Sequence, residues 1–124
     1  MGRGFLTGAI KSPDDFDEND FRRLIPRFAP ENFEKNLTLV NKIQELASKK
    51  GVSPSEFTLA WVLAQGSDFF VIPGTKRIKY LEQNMKAGDV VLTKEEKAAM
   101  RSAISEANPQ GNRYPDFMMK SLYQ

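Results

Sequence analysis

The run Phe69-Phe70-Val71-Ile72 constrains this chain more than any other stretch, because it is the only segment that reads convincingly as a β-strand. It carries no alternation of polar residues, so it is apolar on both faces, as in a parallel sheet covered by helices. Helical patterns precede and follow it, which points to the same α/β arrangement. A strand must give its backbone N–H and C=O groups to neighbouring strands. No second run in the 124 residues offers that partner, so the expected hydrogen bonds of this strand are not supplied by the rest of the sequence.

The segment that follows is the most specific. Pro73-Gly74 stops the strand, Thr75 suits a helix N-cap, and Ile78, Leu81 and Met85 recur on one helical side. Lys76, Arg77 and Lys79 crowd the first turn of that predicted helix. A helix N-terminus carries partial positive charge and disfavours cations by roughly 0.3–1 kcal/mol each. Three cations beside free backbone N–H groups call for an anion, and strand, glycine turn, helix start and basic cluster together indicate a nucleotide-phosphate site.

Two helices on the N-terminal side of the strand are well marked. From Pro30 to Lys50, Phe33, Leu37, Val40, Ile43 and Ala47 fall at helical spacing, and Lys49-Lys50-Gly51 provides a cationic end and a stop. Ser53-Pro54-Ser55-Glu56 is a capping box that opens a second helix, apolar nearly all round through Phe57, Leu59, Ala60, Trp61, Val62 and Leu63 and therefore buried. Trp61 reads as a core residue in preference to a ligand-stacking one. Thr93-Lys94-Glu95-Glu96 opens a further helix through Met100, Ala103, Ile104 and Ala107, ended by Asn108-Pro109-Gln110-Gly111. The rest is less ordered in pattern. Residues 11–27 hold Asp14, Asp15, Asp17, Glu18 and Asp20 followed by Arg22, Arg23 and Arg27 and read as a solvated loop with one helical turn around Phe21 and Leu24, the acids being solvated and not metal ligands. The first eight residues hold Gly2, Gly4 and Gly8 with Arg3 between the first two, which suits either close approach of backbone to a phosphate or a glycine-rich tail. The tail around Arg113-Tyr114-Pro115 and Phe117-Met118-Met119 is expected to be mobile unless it docks.

Composition narrows the chemistry. The chain has no cysteine and no histidine, which removes disulfides, thiolate metal sites and the commonest general base. A net charge of +2 is too small to indicate general nucleic-acid binding, and the basic residues form a cluster and not a stripe. There is no membrane-spanning run and no apolar signal-peptide core, so the expectation is a cytoplasmic protein without a membrane partner.

With these elements in place, the chain resembles the C-terminal half of an aldo-keto reductase, of the fungal and bacterial branch near pyridoxal reductases. The resemblance is carried by Gly-Arg-Gly-Phe-Leu-Thr-Gly at 2–8, Pro-Arg-Phe at 26–28 with Glu31-Asn32-Phe33 and Asn36, Ser-Pro-Ser-Glu-Phe-Thr-Leu-Ala-Trp at 53–61, and Ile-Pro-Gly-Thr-Lys-Arg at 72–77 through Leu81 and Asn84. It implies that residues 1–124 are the C-terminal portion of a (β/α)8 TIM barrel, mostly helical with one clear barrel strand, where a complete barrel takes ~250 residues. It also makes Met1 look like an internal start, since it stands where the family shows leucine in a Ser-Pro-Leu segment. The function implied is NADPH-dependent reduction of an aldehyde or ketone. Gly2, Arg3 and Gly4 would line the pyrophosphate path, Gly74, Thr75 and Lys76 would meet the ribose 2′-phosphate, Tyr80 would lie at a cofactor-phosphate contact, and Gln83 and Asn84 would face that phosphate and the adenine. Tyr80 stands where some branches place arginine, Gln83 where many place glutamate, and Ala9 where several place a basic residue. The family's catalytic tyrosine, lysine, histidine and aspartate belong to the other half of the barrel. No catalytic residue and no metal ligand is assigned here, although Tyr80, Tyr114 and Tyr123 are present. Turnover by this stretch alone is not expected, and an uncovered apolar surface favours self-association. The alternative reading is a non-catalytic helical interaction or regulatory module, or an inactive truncated gene product.

Overall fold

The computed structural model describes residues 1–122, so Tyr123 lies outside the described residues. Five α-helices carry the fold: α1 (Pro30–Lys50), α2 (Pro54–Leu63), α3 (Ile78–Lys86), α4 (Lys94–Ala107) and the single turn α5 (Asp116–Met119). No helix among the described residues is long and apolar enough to cross a membrane.

The central element is α1. Pro30 occupies its first turn, where a missing N–H costs nothing, and Gly51 ends it at φ 76°, its N–H returning to the carbonyls of Ala47 and Ser48. Phe33, Asn36, Leu39, Val40, Ile43 and Ala47 are all buried along it. The helix serves two cores at once. Leu39, Ile43 and Ala47 pack with Phe57 and Ala60 of α2, Leu92, and Met100 and Ala103 of α4. Phe33 and Val40 pack with Phe5, Ile10, Phe16, Ile25 and Phe28 from the N-terminal segment. Fully burying side chains such as Phe33 and Phe57 stabilises the fold by about 1.5–3 kcal/mol each.

Both capping boxes form as the sequence indicates. Ser53 and Thr93 each accept from the N–H three residues on, while Glu56 and Glu96 reach back to the cap N–H. Glu96 also meets Lys50 Nζ at 2.9 Å, tying the end of α1 to the start of α4. Trp61 is a packing residue whose Nε1 donates to the Lys97 carbonyl at 3.1 Å.

Three expectations are corrected. The stretch Phe69–Ile72 is irregular, and no strand is present among the described residues. A strand exists only by pairing, and no neighbouring segment offers a ladder of backbone groups. Its side chains are accordingly open to solvent, with Phe70 85% and Ile72 96% exposed. Second, α3 begins at Ile78 with Arg77 as N-cap, because the Thr75 hydroxyl accepts from the Arg77 N–H at 3.1 Å and closes a turn ahead of the helix. Its apolar side, Ile78, Leu81 and Met85, stays exposed. Third, residues 11–27 are more than a solvated loop, although the helical turn expected around Phe21 and Leu24 is present. With Phe28 they form three 3₁₀ turns, Pro13–Asp15, Phe21–Leu24 and Pro26–Phe28. Ser12 and Asp20 cap the first two, and the spacing brings Phe16, Ile25 and Phe28 into the core. Phe16 and Phe28 meet edge to face at 5.4 Å, as do Phe5 and Phe33 at 5.1 Å.

One buried polar side chain joins these parts. Asn36, 3% exposed, donates through Nδ2 to the carbonyls of Arg27 and Gln110, both at 2.9 Å, and accepts from the Gln110 N–H at 2.7 Å. Gly111 beside it sits at φ 84°, and a Cβ there would come within 2.6 Å of the Pro26 backbone, so only glycine permits the contact. Asn36→Leu keeps the volume but orphans all three backbone groups. We expect a loss of about 2–3 kcal/mol in urea unfolding; a midpoint unchanged from wild type would show that these groups find other partners.

Candidate functional site

A cavity of about 830 Å³ opens between the N-terminal loop, α2, the segment 71–75 and α3. Of the residues expected to contact a cofactor, Arg3, Gly4, Gly74, Thr75, Tyr80, Gln83 and Asn84 line it. Gly2 does not. It faces a smaller space of about 120 Å³ with Phe5 and Leu6, and contributes by its φ of 56° to the shape of the loop. Lys76 is exposed one residue beyond the cavity wall formed by Thr75.

The loop that supplies Arg3 is held in an unusual backbone form. Gly2, Arg3 and Gly4 all have positive φ, at 56°, 54° and 91°. Arg3 is the only one of the three with a side chain, and αL geometry there costs of order 1 kcal/mol, so surrounding contacts must hold it. They are visible. The Arg3 carbonyl accepts from Arg22 Nη1 at 3.1 Å, its Nη1 donates to the Arg113 carbonyl at 2.9 Å, and its guanidinium lies 4.4 Å from the Tyr114 ring centre. The tail therefore docks, on the residue expected to face a pyrophosphate.

At the opposite wall, α3 has no side-chain cap, so the N–H groups of Ile78 and Lys79 at its start are not satisfied by an N-cap residue. Lys76, Arg77 and Lys79 surround this end and are exposed, with the Arg77 guanidinium 5.9 Å from the Tyr80 ring. With α3 starting at Ile78, only Lys79 of the three lies within its first turn, Arg77 being the N-cap and Lys76 preceding it, so the crowding read from the sequence is present only in part.

The third wall was not anticipated. Ser53, Ser55 and Thr58, on the first turns of α2, line the cavity with Leu59 and Val62. Ser55 and Thr58 are 7% and 4% exposed, and Thr58 Oγ1 is buried without a hydrogen-bond partner among the described residues. The capping-box reading explained the hydroxyls of this segment as helix signals. The i,i+3 spacing of Ser55 and Thr58 was the available sign that these two share one side. Gln83 crosses to this wall, its Nε2 donating to Ser53 Oγ at 2.7 Å.

The Aldo/keto reductase family pattern matches residues 1–105. The chain belongs to the aldo/keto reductase family. Among curated proteins it is similar to aldo-keto reductase yakc [NADP(+)] of Schizosaccharomyces pombe, 54% identical over 115 residues, which is 93% of this chain and 34% of that protein. It is also similar to aldo-keto reductase str7 of Strobilurus tenacellus, 52% identical over 113 residues, 91% of this chain and 34% of that protein. The chain thus spans about a third of the length of these relatives. No solved structure matches it. The (β/α)8 barrel is the fold of aldo/keto reductases, and the present structure is a helical portion without a strand among its described residues.

The side chains holding the Arg3 loop of this aldo/keto reductase segment are themselves tied by charge. Arg22 forms a salt bridge with Asp20 at 2.6 Å while its Nη1 reaches Arg3. The Asp20 carboxyl is lowered from 3.8 to about 2, first by the Arg22 side-chain hydrogen bond and then by the Arg22 backbone N–H, against a smaller opposing effect of burial. A carboxyl depressed on folding stabilises the fold above its ordinary value and loses that contribution as pH falls through the folded value. Between about pH 4 and 2, stability should therefore fall more steeply in the wild type than in Asp20→Asn, followed by urea unfolding at each pH. Parallel curves would mean that Asp20 is not the carboxyl that matters there.

Proposed function

We propose that the cavity holds the phosphate and adenosine part of NADPH, and that this chain is the cofactor-holding portion of a cytoplasmic oxidoreductase that reduces aldehydes or ketones. The observation that carries this reading is convergence. The Gly-Arg-Gly loop, the Gly74–Thr75 turn and α3, about seventy residues apart in sequence, share one cavity.

The residues present fit such a group. A dinucleotide phosphate needs donors for its anionic oxygens, a surface for its base, and polar groups for its sugars. Arg3 on the cavity wall supplies the first, with Lys76 at the rim beyond Thr75. Tyr80 offers an aromatic face, and the orphaned Thr58 hydroxyl is a buried polar atom that a polar ligand would satisfy. In this reading Arg3 and Gly4 lie beside the pyrophosphate. Gly74, Thr75 and Lys76 meet the 2′-phosphate, with Tyr80 nearby, and Gln83 and Asn84 face the adenine. When bound, NADPH supplies a hydride to the carbonyl carbon. The contribution of this chain is to bind and orient the cofactor; no catalytic residue and no metal is assigned to it, and its partners are small molecules and not nucleic acid or membrane.

Titration with NADPH and NADH tests the phosphate assignment. Lys76→Glu is expected to weaken NADPH binding about 5-fold, as one partly screened charge contact would, and to leave NADH binding nearly unchanged. Equal losses for both cofactors would remove Lys76 from the 2′-phosphate.

A second expectation concerns the apolar residues Phe70, Ile72, Ile78 and Met85, all at least 70% exposed. Exposed apolar surface of this kind promotes association, so the chain should sediment as a concentration-dependent oligomer, shifted towards monomer by Phe70→Glu with Ile78→Lys. A monodisperse monomer at high concentration would contradict this.

A further inference from the structure

The hydrogen bond between Gln83 and Ser53 has a fixed direction, and the capping box of α2 fixes it. Ser53 has one O–H to donate and two lone pairs. The O–H is used on Glu56 Oε2 at 2.6 Å, and the same carboxylate oxygen takes the Ser53 N–H at 2.8 Å. A carboxylate accepts and cannot return a proton to the hydroxyl. Ser53 Oγ accepts the Glu56 N–H at 3.2 Å, which leaves one lone pair for Gln83. Gln83 must therefore present its NH₂ to Ser53, as it does at 2.7 Å. The amide carbonyl, Oε1, is then the end of Gln83 without a hydrogen-bond partner among the described residues, on a side chain that lines the cavity.

We propose that Ser53 and Glu56 are positioning residues that set the hydrogen-bond polarity of the cavity wall at Gln83, making it an acceptor that selects a base edge bearing an exocyclic amine. This rests on the cofactor reading given above and adds the means by which the base is discriminated. An adenine amine donates to Oε1. A hypoxanthine ring carries a carbonyl at that position and places two acceptors against each other. If Ser53 did not constrain the amide, Gln83 could turn over and offer NH₂ to the carbonyl, and the discrimination would vanish. The helix-start signal read from the sequence would thus have a second role, transmitted across the gap between α2 and α3.

The experiment uses the full chain, with NADPH and its hypoxanthine counterpart, reduced nicotinamide hypoxanthine dinucleotide phosphate, as probes. Ser53→Gly removes the hydroxyl at a cap position where glycine costs only a few tenths of a kcal/mol, and Ser53→Thr restores it. Wild type and Ser53→Thr are expected to bind the adenine form about 3- to 10-fold more tightly, the range of one net hydrogen bond. In Ser53→Gly the ratio of the two dissociation constants should fall to near one. In the cofactor-free chain, NMR should show slowed exchange of one Gln83 side-chain amide proton in wild type and Ser53→Thr and not in Ser53→Gly. Gln83→Leu serves as a second variant that leaves the cap intact and should also bring the ratio near one. Retention of the wild-type ratio in folded Ser53→Gly or in Gln83→Leu overturns the proposal while leaving the cofactor reading in place. Failure of the wild type to bind either dinucleotide overturns the cofactor reading, and the proposal with it.

Discussion

Asn36 is the interaction on which the arrangement of this chain depends. It lies on the face of α1 between the two apolar cores, 3% exposed, and it binds backbone groups from both the segment before α1 and the segment after α4. A side chain with one carbonyl and one NH₂ suits this position because the groups to be satisfied comprise one N–H and two carbonyls. Apolar contacts alone would hold α1 against α2 and α4, but they are not directional. The Asn36 hydrogen bonds determine where the chain ahead of α1 and the loop after α4 come to rest, and hence where the Arg3 loop meets the tail.

The sequence was informative where a local signal and a long-range need agree. The bounds of α1, α2 and α4 follow from Pro30 and Gly51, and from the boxes at Ser53 and Thr93, because each of these satisfies helix-end groups whatever the tertiary setting. In residues 11–28 the turn at Phe21–Leu24 was legible, but the burial of Phe16, Ile25 and Phe28 was not, for the opposite reason. Phe16, Ile25 and Phe28 have no helical or strand period, and short 3₁₀ turns impose none over such a distance, so burial here is decided by packing against Phe5 and Phe33. Phe69–Ile72 shows the limit from another side. Its composition favours a strand, but a strand is made by two partners and its composition describes only one.

The cavity was legible in part for related reasons. Glycines and basic residues around Gly74 to Lys79 create a conflict that can be seen without knowing the fold, and α3, with Arg77 as its N-cap, realises it in part. The contribution of Ser55 and Thr58 to a cavity could not be assigned from their i,i+3 spacing alone, since small hydroxyl residues near a helix start also serve the backbone. Neither could the crossing from Gln83 to Ser53, which spans thirty residues and depends on how α3 lies against α2.

The contact between Arg3 and Arg113 has a consequence for the order of assembly. It joins positions 110 apart in the chain, whereas α1 meets α2 across a turn of three residues. Closing the larger loop costs more entropy and is rewarded only when both ends are already shaped. The helical centre therefore forms early, and the wall at Arg3 is completed last. During synthesis it cannot be completed until Arg113 has left the ribosome, so a nascent chain would have its α3 wall in place well before the Arg3 loop is held by its last partner.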